Sequence, residues 1–523
     1  MSKFRGAHRS ACIAVVAMFF WSVVSAVTAV AGPVSAVKWQ QCVADSRIEC
    51  ATMEVPLDYG DPGGPRVGIA LAKVSARRPG ERLGTLVINR GGPGYSSIDY
   101  LNSIVAGQLR APWDERVRDR YDIVAVDQRG VGRAATAVRC FDSDQAAAAF
   151  GAGVPLVPES PVEIAQRAAE DAEFAVGCRR HSGSLLDHLS TATVARDLDS
   201  VRAALGESRL NYLGQSYGTA LGAVYAAMFP QRVGSFVLDS VEDPVRTTSA
   251  AAGSTLSERM GSDVGSQEVV HEFLRLCAQG KTCAFASDDP WKAYPALLAS
   301  LRAKPVTLSG PNGVPFSMTY EQFIYSLGGF LYQPVNWPLL AVALHRIYQA
   351  QLSSGPATAH IDLVRTAAEA DFNSPYAGSV APPFYAFTCN DTALPHFAPA
   401  WWAASARRAG PAPDFATLRA YETSPCAFWP ASSTDRYTGP WDIHTANPVL
   451  LLNNRFDPAT PLPGAIDLAA HLPGSRLLIT EGWGHIATDR STCAVRAVSD
   501  YLASGQLPSS AAHCAPDITP FAA

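Results

Sequence analysis

Gly214-Gln215-Ser216-Tyr217-Gly218 is the single G-x-S-x-G pentapeptide in the chain. A serine between two glycines suits a sharp turn from strand to helix that lifts the hydroxyl above a sheet, where backbone passes too close for flanking side chains. The setting agrees: the apolar run LNYL precedes it and the small-residue run TALGAVYAAM follows. A serine hydroxyl is a weak nucleophile and needs a base. His485, in EGWGHIAT after the last apolar run, stands late in the chain, where such a base is expected. The acid that orients its ring should fall between the two. Asp457, in LLLNNRFDPATP, does so. The run ending in Asp239, followed by Glu242 and Asp243, offers competing acids. A developing oxyanion needs two backbone N–H donors. Tyr217, at the start of the helix after the serine, is expected to supply one. The loop Arg90-Gly91-Gly92-Pro93-Gly94 is expected to supply the other from Gly92, with Gly91 as the alternative. Read as a phosphate-binding loop this segment fails, since no Lys-Ser/Thr follows.

Short apolar runs must carry these groups. GTLVINRGG (84–92), YDIVAVDQRG (121–130), LNYLGQSYG (210–218), VGSFVLDS (233–240), NPVLLLNN (447–454) and SRLLITEG (475–482) are rich in Val, Ile and Leu on both faces. That pattern predicts parallel strands covered by helices. TATVARDLDSVRAALGE (191–207) places Val194, Leu198, Val201 and Leu205 at helical spacing between the second and third runs. Residues 49–75 hold two apolar runs around a Gly/Pro turn and predict a hairpin. The sum is an α/β class with a mostly parallel sheet. Residues 245–440 lose the strand rhythm and read as a helix-rich insertion with many prolines and aromatics. The expected division is a first core part over 37–244, a helical cap over 245–440 and a second core part over 441–523.

The chain has 523 residues, 48% of them hydrophobic and 17% charged, which excludes a disordered protein. The net charge of −5 offers no basic stripe for nucleic acid. MSKFRGAHRS followed by ACIAVVAMFFWSVVSAVTAVA reads as a secretory signal peptide over 1–31, cut after Ala29-Val30-Ala31 or a few residues later, with an uncleaved anchor as the alternative. No later segment is long and apolar enough to span a membrane. Ten of the 11 cysteines lie beyond the leader, an even number in an oxidising compartment. Pairing neighbours (42–50, 140–178, 277–283, 389–426, 493–514) closes the shortest loops. Their spacing does not suit zinc, and no cofactor is called for.

RGGPG after one predicted strand, DQRGVG after the next, GQSYG, the Asp457-Pro458 loop and WGH together resemble the proline iminopeptidase-like branch of the α/β hydrolases. VPLDY, ARDLDSVRAALG, FTCND and the final cysteine pair resemble more closely the secreted actinobacterial tripeptidyl aminopeptidases with a TAP-like C-terminal part. The likeness runs over nearly the whole chain past the leader. It implies an α/β-hydrolase fold, a helical cap and a serine exopeptidase releasing short peptides from free N-termini. It carries Ser216, Asp457 and His485 as triad, with Gly92 and Tyr217 at the oxyanion hole. Arg90 departs from the His or Asn that often precedes GGPG in this branch. An exopeptidase must also recognise a charged amine, for which a buried carboxylate would serve; Glu242 and Asp391 are the candidates. Thr460, three residues past the acid, is expected to line the pocket. Trp401, Trp402, Phe428 and Trp429 are expected in the packed core, with the cap pocket as alternative. Two other readings stand beside the peptidase: an esterase or lipase using the same triad, and a non-catalytic binding protein on a hydrolase scaffold.

Overall fold

The structure is a computed structural model that describes residues 36–522 apart from 43–44, 46, 133, 135, 250–252, 310–314 and 353–380. The leader reading therefore falls outside the described residues. Among the described residues twelve strands occur: β1 (Gln40–Gln41), β2 (Glu49–Pro56), β3 (Arg66–Val74), β4 (Gly84–Asn89), β5 (Tyr121–Asp127), β6 (Leu210–Gln215), β7 (Val233–Asp239), β8 (Val306–Ser309), β9 (Pro315–Met318), β10 (Val449–Phe456), β11 (Arg476–Trp483) and β12 (His513–Cys514). Ten of them form one sheet in the order β1-β2-β3-β5-β4-β6-β7-β10-β11-β12. The β2–β3 hairpin is antiparallel and joins β5 antiparallel; from β5 to β12 every neighbour is parallel. Each of the six apolar runs forms a strand of this parallel region.

Alternation along the strands explains why both faces are apolar. Val87, Tyr212, Phe236 and Leu451 point into one layer with Val194, Leu198 and Val201 of the helix Thr191–Ala204. Their neighbours Ile88, Leu213, Val237 and Leu450 point into the other, with Val498 and Leu502 of the closing helix Thr492–Ser504. Helices on both faces are what a parallel sheet requires. The helix after β6, Tyr217–Met228, is built of small residues because it lies close to the sheet: a Cβ on Gly222 would come 2.6 Å from a Leu238 methyl.

A third cluster gathers Phe273, Leu297, Phe323, Leu327, Trp337 and Leu344 from four helices, and the antiparallel pair β8–β9 adds Leu308 and Met318. This pair has no counterpart in the sequence reading, since two four-residue strands leave too little periodicity to detect. Tyr385, Phe387 and Trp429 join the sheet's own layer, with Tyr385 edge-on to Phe174 at 5.2 Å. Trp401 is core as well; Trp402 and Phe428 are exposed at the surface. All five neighbouring cysteine pairs are disulfides.

Three segments that carry the family likeness meet in one buried cluster. Arg129 of DQRGVG is fully buried and binds Asp197 of ARDLDSVRAALG at 2.7 Å, while Tyr59 of VPLDY donates to the same carboxylate at 2.9 Å. The remaining Arg129 donors reach the carbonyls of Pro56 and Leu57. A buried charge is tolerated only when so paired. These motifs thus hold the hairpin to the sheet.

Candidate active site

β6 ends at Gln215 and the next helix starts at Tyr217, so Ser216 is the whole turn. Its φ of 55° and ψ of −128° lie outside the usual regions for a residue with a side chain, a strain that clusters at functional sites. Both flanking glycines are obligatory. A Cβ on Gly214 would run into the Gly218 carbonyl, and one on Gly218 would lie 2.8 Å from the Asn89 carbonyl oxygen. The Ser216 N–H donates to the Asp239 carbonyl at 3.0 Å, fixing the turn to β7.

Asp457 follows β10 and His485 follows β11. The ring Nδ1 lies 2.9 and 3.0 Å from the two oxygens of Asp457. That carboxylate is 1% exposed and also accepts the N–H groups of Ala459 and Thr460, each at 2.9 Å. Two asparagines at the end of β10 pin the surrounding loops. Asn453 bridges the Val241 N–H and the Thr460 carbonyl, and Asn454 donates to the Gly484 carbonyl. Asp239, the competing acid, does not face the ring. It accepts the N–H groups of Ala487 and Thr488 and the Thr488 hydroxyl at 2.5 Å. It therefore shapes the loop that carries His485, and burial raises its pKa against those donors. Asp243 caps a short helix through the Val245 N–H.

Gly91 and Gly92 divide the work in their loop. A Cβ on Gly91 would collide with the Gln215 carbonyl and come 3.0 Å from the Ser216 Cβ. Its φ of 93° also calls for glycine. The Gly91 N–H is already bonded to the Asn89 side chain at 2.9 Å, which leaves Gly92 as the better-placed donor. Gly92, Ser216, Thr460 and His485 line one cavity of about 510 Å³, whereas Gly91 does not. The Tyr217 side chain turns away from the cavity and bonds Thr191 at 2.7 Å, leaving its backbone N–H at the helix start. Among the described residues no hydrogen bond yet joins the Ser216 hydroxyl to the imidazole; such contacts commonly tighten when substrate binds.

Glu242 lines the same cavity and, with Asp391, a small adjoining recess. Burial pushes Glu242 up to about 8, with Asp391 and Asp243 adding to the effect. Burial pushes Asp391 up to about 7, even though Thr191 gives it two donors, the hydroxyl at 2.7 Å. Arg90 stacks on Tyr100 and ties Gln215 to Asp489, at 2.8 and 3.3 Å. Sequence reasoning missed Asn89, whose side chain accepts the Gly91 N–H two residues on, and Tyr332, Ser266 and Arg419, which reach the site only through tertiary packing. Among the described residues no cluster suited to a metal ion occurs.

A parallel sheet with a strained serine at one strand end, and a paired acid and histidine on the two loops that follow, defines an α/β hydrolase of the serine-hydrolase type. Comparison with known proteins agrees. A family profile described as "alpha/beta hydrolase fold" matches residues 84–281, and one described as "TAP-like protein" matches residues 412–514. The chain is 30% identical to a tripeptidyl aminopeptidase of Streptomyces lividans, over 95% of this chain and 90% of that one. It is 30% identical to the serine protease Hip1 of Mycobacterium tuberculosis, over 89% and 87% of the two chains. It is 32% identical to a carboxylesterase B of Mycobacterium tuberculosis, over 91% and 90%. The chain belongs to the TAP-like family of α/β hydrolases, and it is an enzyme.

Proposed function

We propose that the protein is a secreted serine exopeptidase that releases short peptides from free N-termini. Ser216 attacks the scissile carbonyl, His485 takes its proton, and Asp457 holds the ring tautomer and stabilises the imidazolium. The N–H groups of Gly92 and Tyr217 receive the oxyanion. His485 then protonates the departing amine, and water releases the acyl-enzyme by the reverse route. Residues 245–440 act as the cap that restricts entry to chain ends.

The observation that carries the peptidase reading is the Glu242 carboxyl. It lies in the cavity with Ser216 and His485, is half-buried, and has a second carboxyl as neighbour and no ion pair among the described residues. A site built this way is completed by a cation, and the α-ammonium of a peptide supplies one. A neutral ester offers the carboxyl no such partner. Five disulfides and the leader sequence support export, and no described helix is long and apolar enough to cross a membrane.

Mass spectrometry of products from an unblocked peptide library tests this reading. Short N-terminal fragments of fixed length are expected. Internal cleavage, or cleavage of esters alone, would overturn it in favour of an endopeptidase or an esterase.

A further inference from the structure

The loops of Asp457 and His485 are held from above by residues far away in sequence. On the acid side, the helix Ser262–Gln279 presses against the Asp457 loop. A Cβ on Gly265 would lie 3.1 Å from the Asp457 carbonyl oxygen, and Ser266 donates to the Pro458 carbonyl at 3.1 Å. On the histidine side, Tyr332 follows the helix Tyr320–Leu331. Its carbonyl accepts the His485 N–H at 3.1 Å and an Arg490 donor at 3.1 Å, and its ring stands edge-on to the imidazole at 5.4 Å. A Cβ on Gly484 would lie 2.7 Å from that same carbonyl.

One side chain braces the acid side. Arg419, in the helix Ala416–Tyr421, is 7% exposed and lines the cavity. Its Nε and one terminal nitrogen donate to the Ser266 hydroxyl at 3.2 and 3.0 Å, and the other terminal nitrogen reaches Glu422 at 3.3 Å. Tyr332 lines the same cavity. A planar fork can serve several partners at fixed angles, which a lysine cannot.

We propose that Arg419 is a positioning residue: through Ser266 it locks the Asp457 loop to the helix that braces it, and so sets the acid–imidazole geometry. The inference rests on the triad reading above. Glu422 at the guanidinium offsets its charge, so the cation remains buried without needing a substrate anion.

The test uses a small neutral organophosphonate, whose reaction rate reports activation of the serine without peptide contacts. Arg419→Gln is expected to slow labelling about 100-fold, the scale of a misplacement near 1 Å. Ser266→Ala should slow it less and should not add to Arg419→Gln. Arg419→Lys should recover part of the rate. The apparent pKa of the labelling rate should shift in Arg419→Gln. Wild-type labelling in Arg419→Gln with peptide turnover alone impaired would overturn the proposal and make Arg419 a substrate contact. A rate loss fully explained by fewer folded molecules, with an unshifted pH profile, would overturn it in favour of a purely structural role; should Arg419→Gln not fold, Ser266→Ala decides the same question. Equal labelling of Ser216→Ala would instead overturn the serine reading itself.

Discussion

Asp457 accepts His485 and two backbone N–H groups, whereas Glu242 sits half-buried in the neighbouring corner of the cavity, near Asp391 and Asp243 and, among the described residues, without an ion pair. The first carboxyl is fully supplied with partners by the protein, the imidazole among them. The second is held in a state that only a ligand can satisfy. On the proposed reading one corner serves the chemistry and the other recognition. The difference shows how one fold can keep its reaction machinery fixed while changing what it cleaves.

Removing the chemical corner should give the largest effect. Ser216→Ala or His485→Ala is expected to lower kcat about a million-fold, and the double variant should be no worse, because the two act as a unit. Steady-state assays on one unblocked peptide check this. Removing the recognition corner should cost less and be selective. Glu242→Gln is expected to lower kcat/KM about 100-fold for peptides with a free amine, the scale of truncating one partner of a buried charge pair. Small esters should be hydrolysed as before. Loss of both activities together would merge the two corners into one.

The disulfide Cys389–Cys426 joins the helix bearing Thr388 and Asp391 to the segment just past Glu422 and Thr423, all at or near the cavity wall. Replacing both cysteines by serine is expected to lower stability by about 2–5 kcal/mol, read as a fall in Tm. KM should rise more than kcat falls, because the staple borders recognition and not the triad.

The smallest expected effect is a pH dependence of stability. Glu242 has a folded pKa of about 8 against an ordinary value of 4.5, so the folded state keeps a proton that the unfolded chain has lost. Stability contributed in this way is complete below pH 4.5 and is lost as the pH rises through 8. Asp391 acts in the same direction up to about pH 7. Glu242→Gln should therefore raise Tm by a few degrees near pH 8–9 and leave it nearly unchanged near pH 4.5, by calorimetry at matched ionic strength.

Much of the chemical corner was legible in the chain because it hangs on local patterns. Apolar runs such as TLVIN and VLLLNN mark strands buried on both faces, and a glycine-flanked serine can exist only where backbone crowds it. The choice between Gly91 and Gly92 was not legible, since it turns on Asn89 capturing one N–H. Nor was the place of Asp239, which ends a strand as a catalytic acid might but turns to the loop after His485. Arg419 and Tyr332 leave no trace in sequence because their partners lie on other elements. Glu242 could be suspected from its place after β7; its isolation from cations is a property of packing.

The most direct measurement is the ratio of kcat/KM for a free peptide to that for its Nα-acetylated form, taken in wild type and in Glu242→Gln. The expected result is a ratio far above one in wild type that collapses toward one in the variant, with the acetylated substrate unaffected. Equal rates for the two substrates in wild type, or an undiminished ratio in the variant, would contradict the assignment of Glu242 to amine recognition.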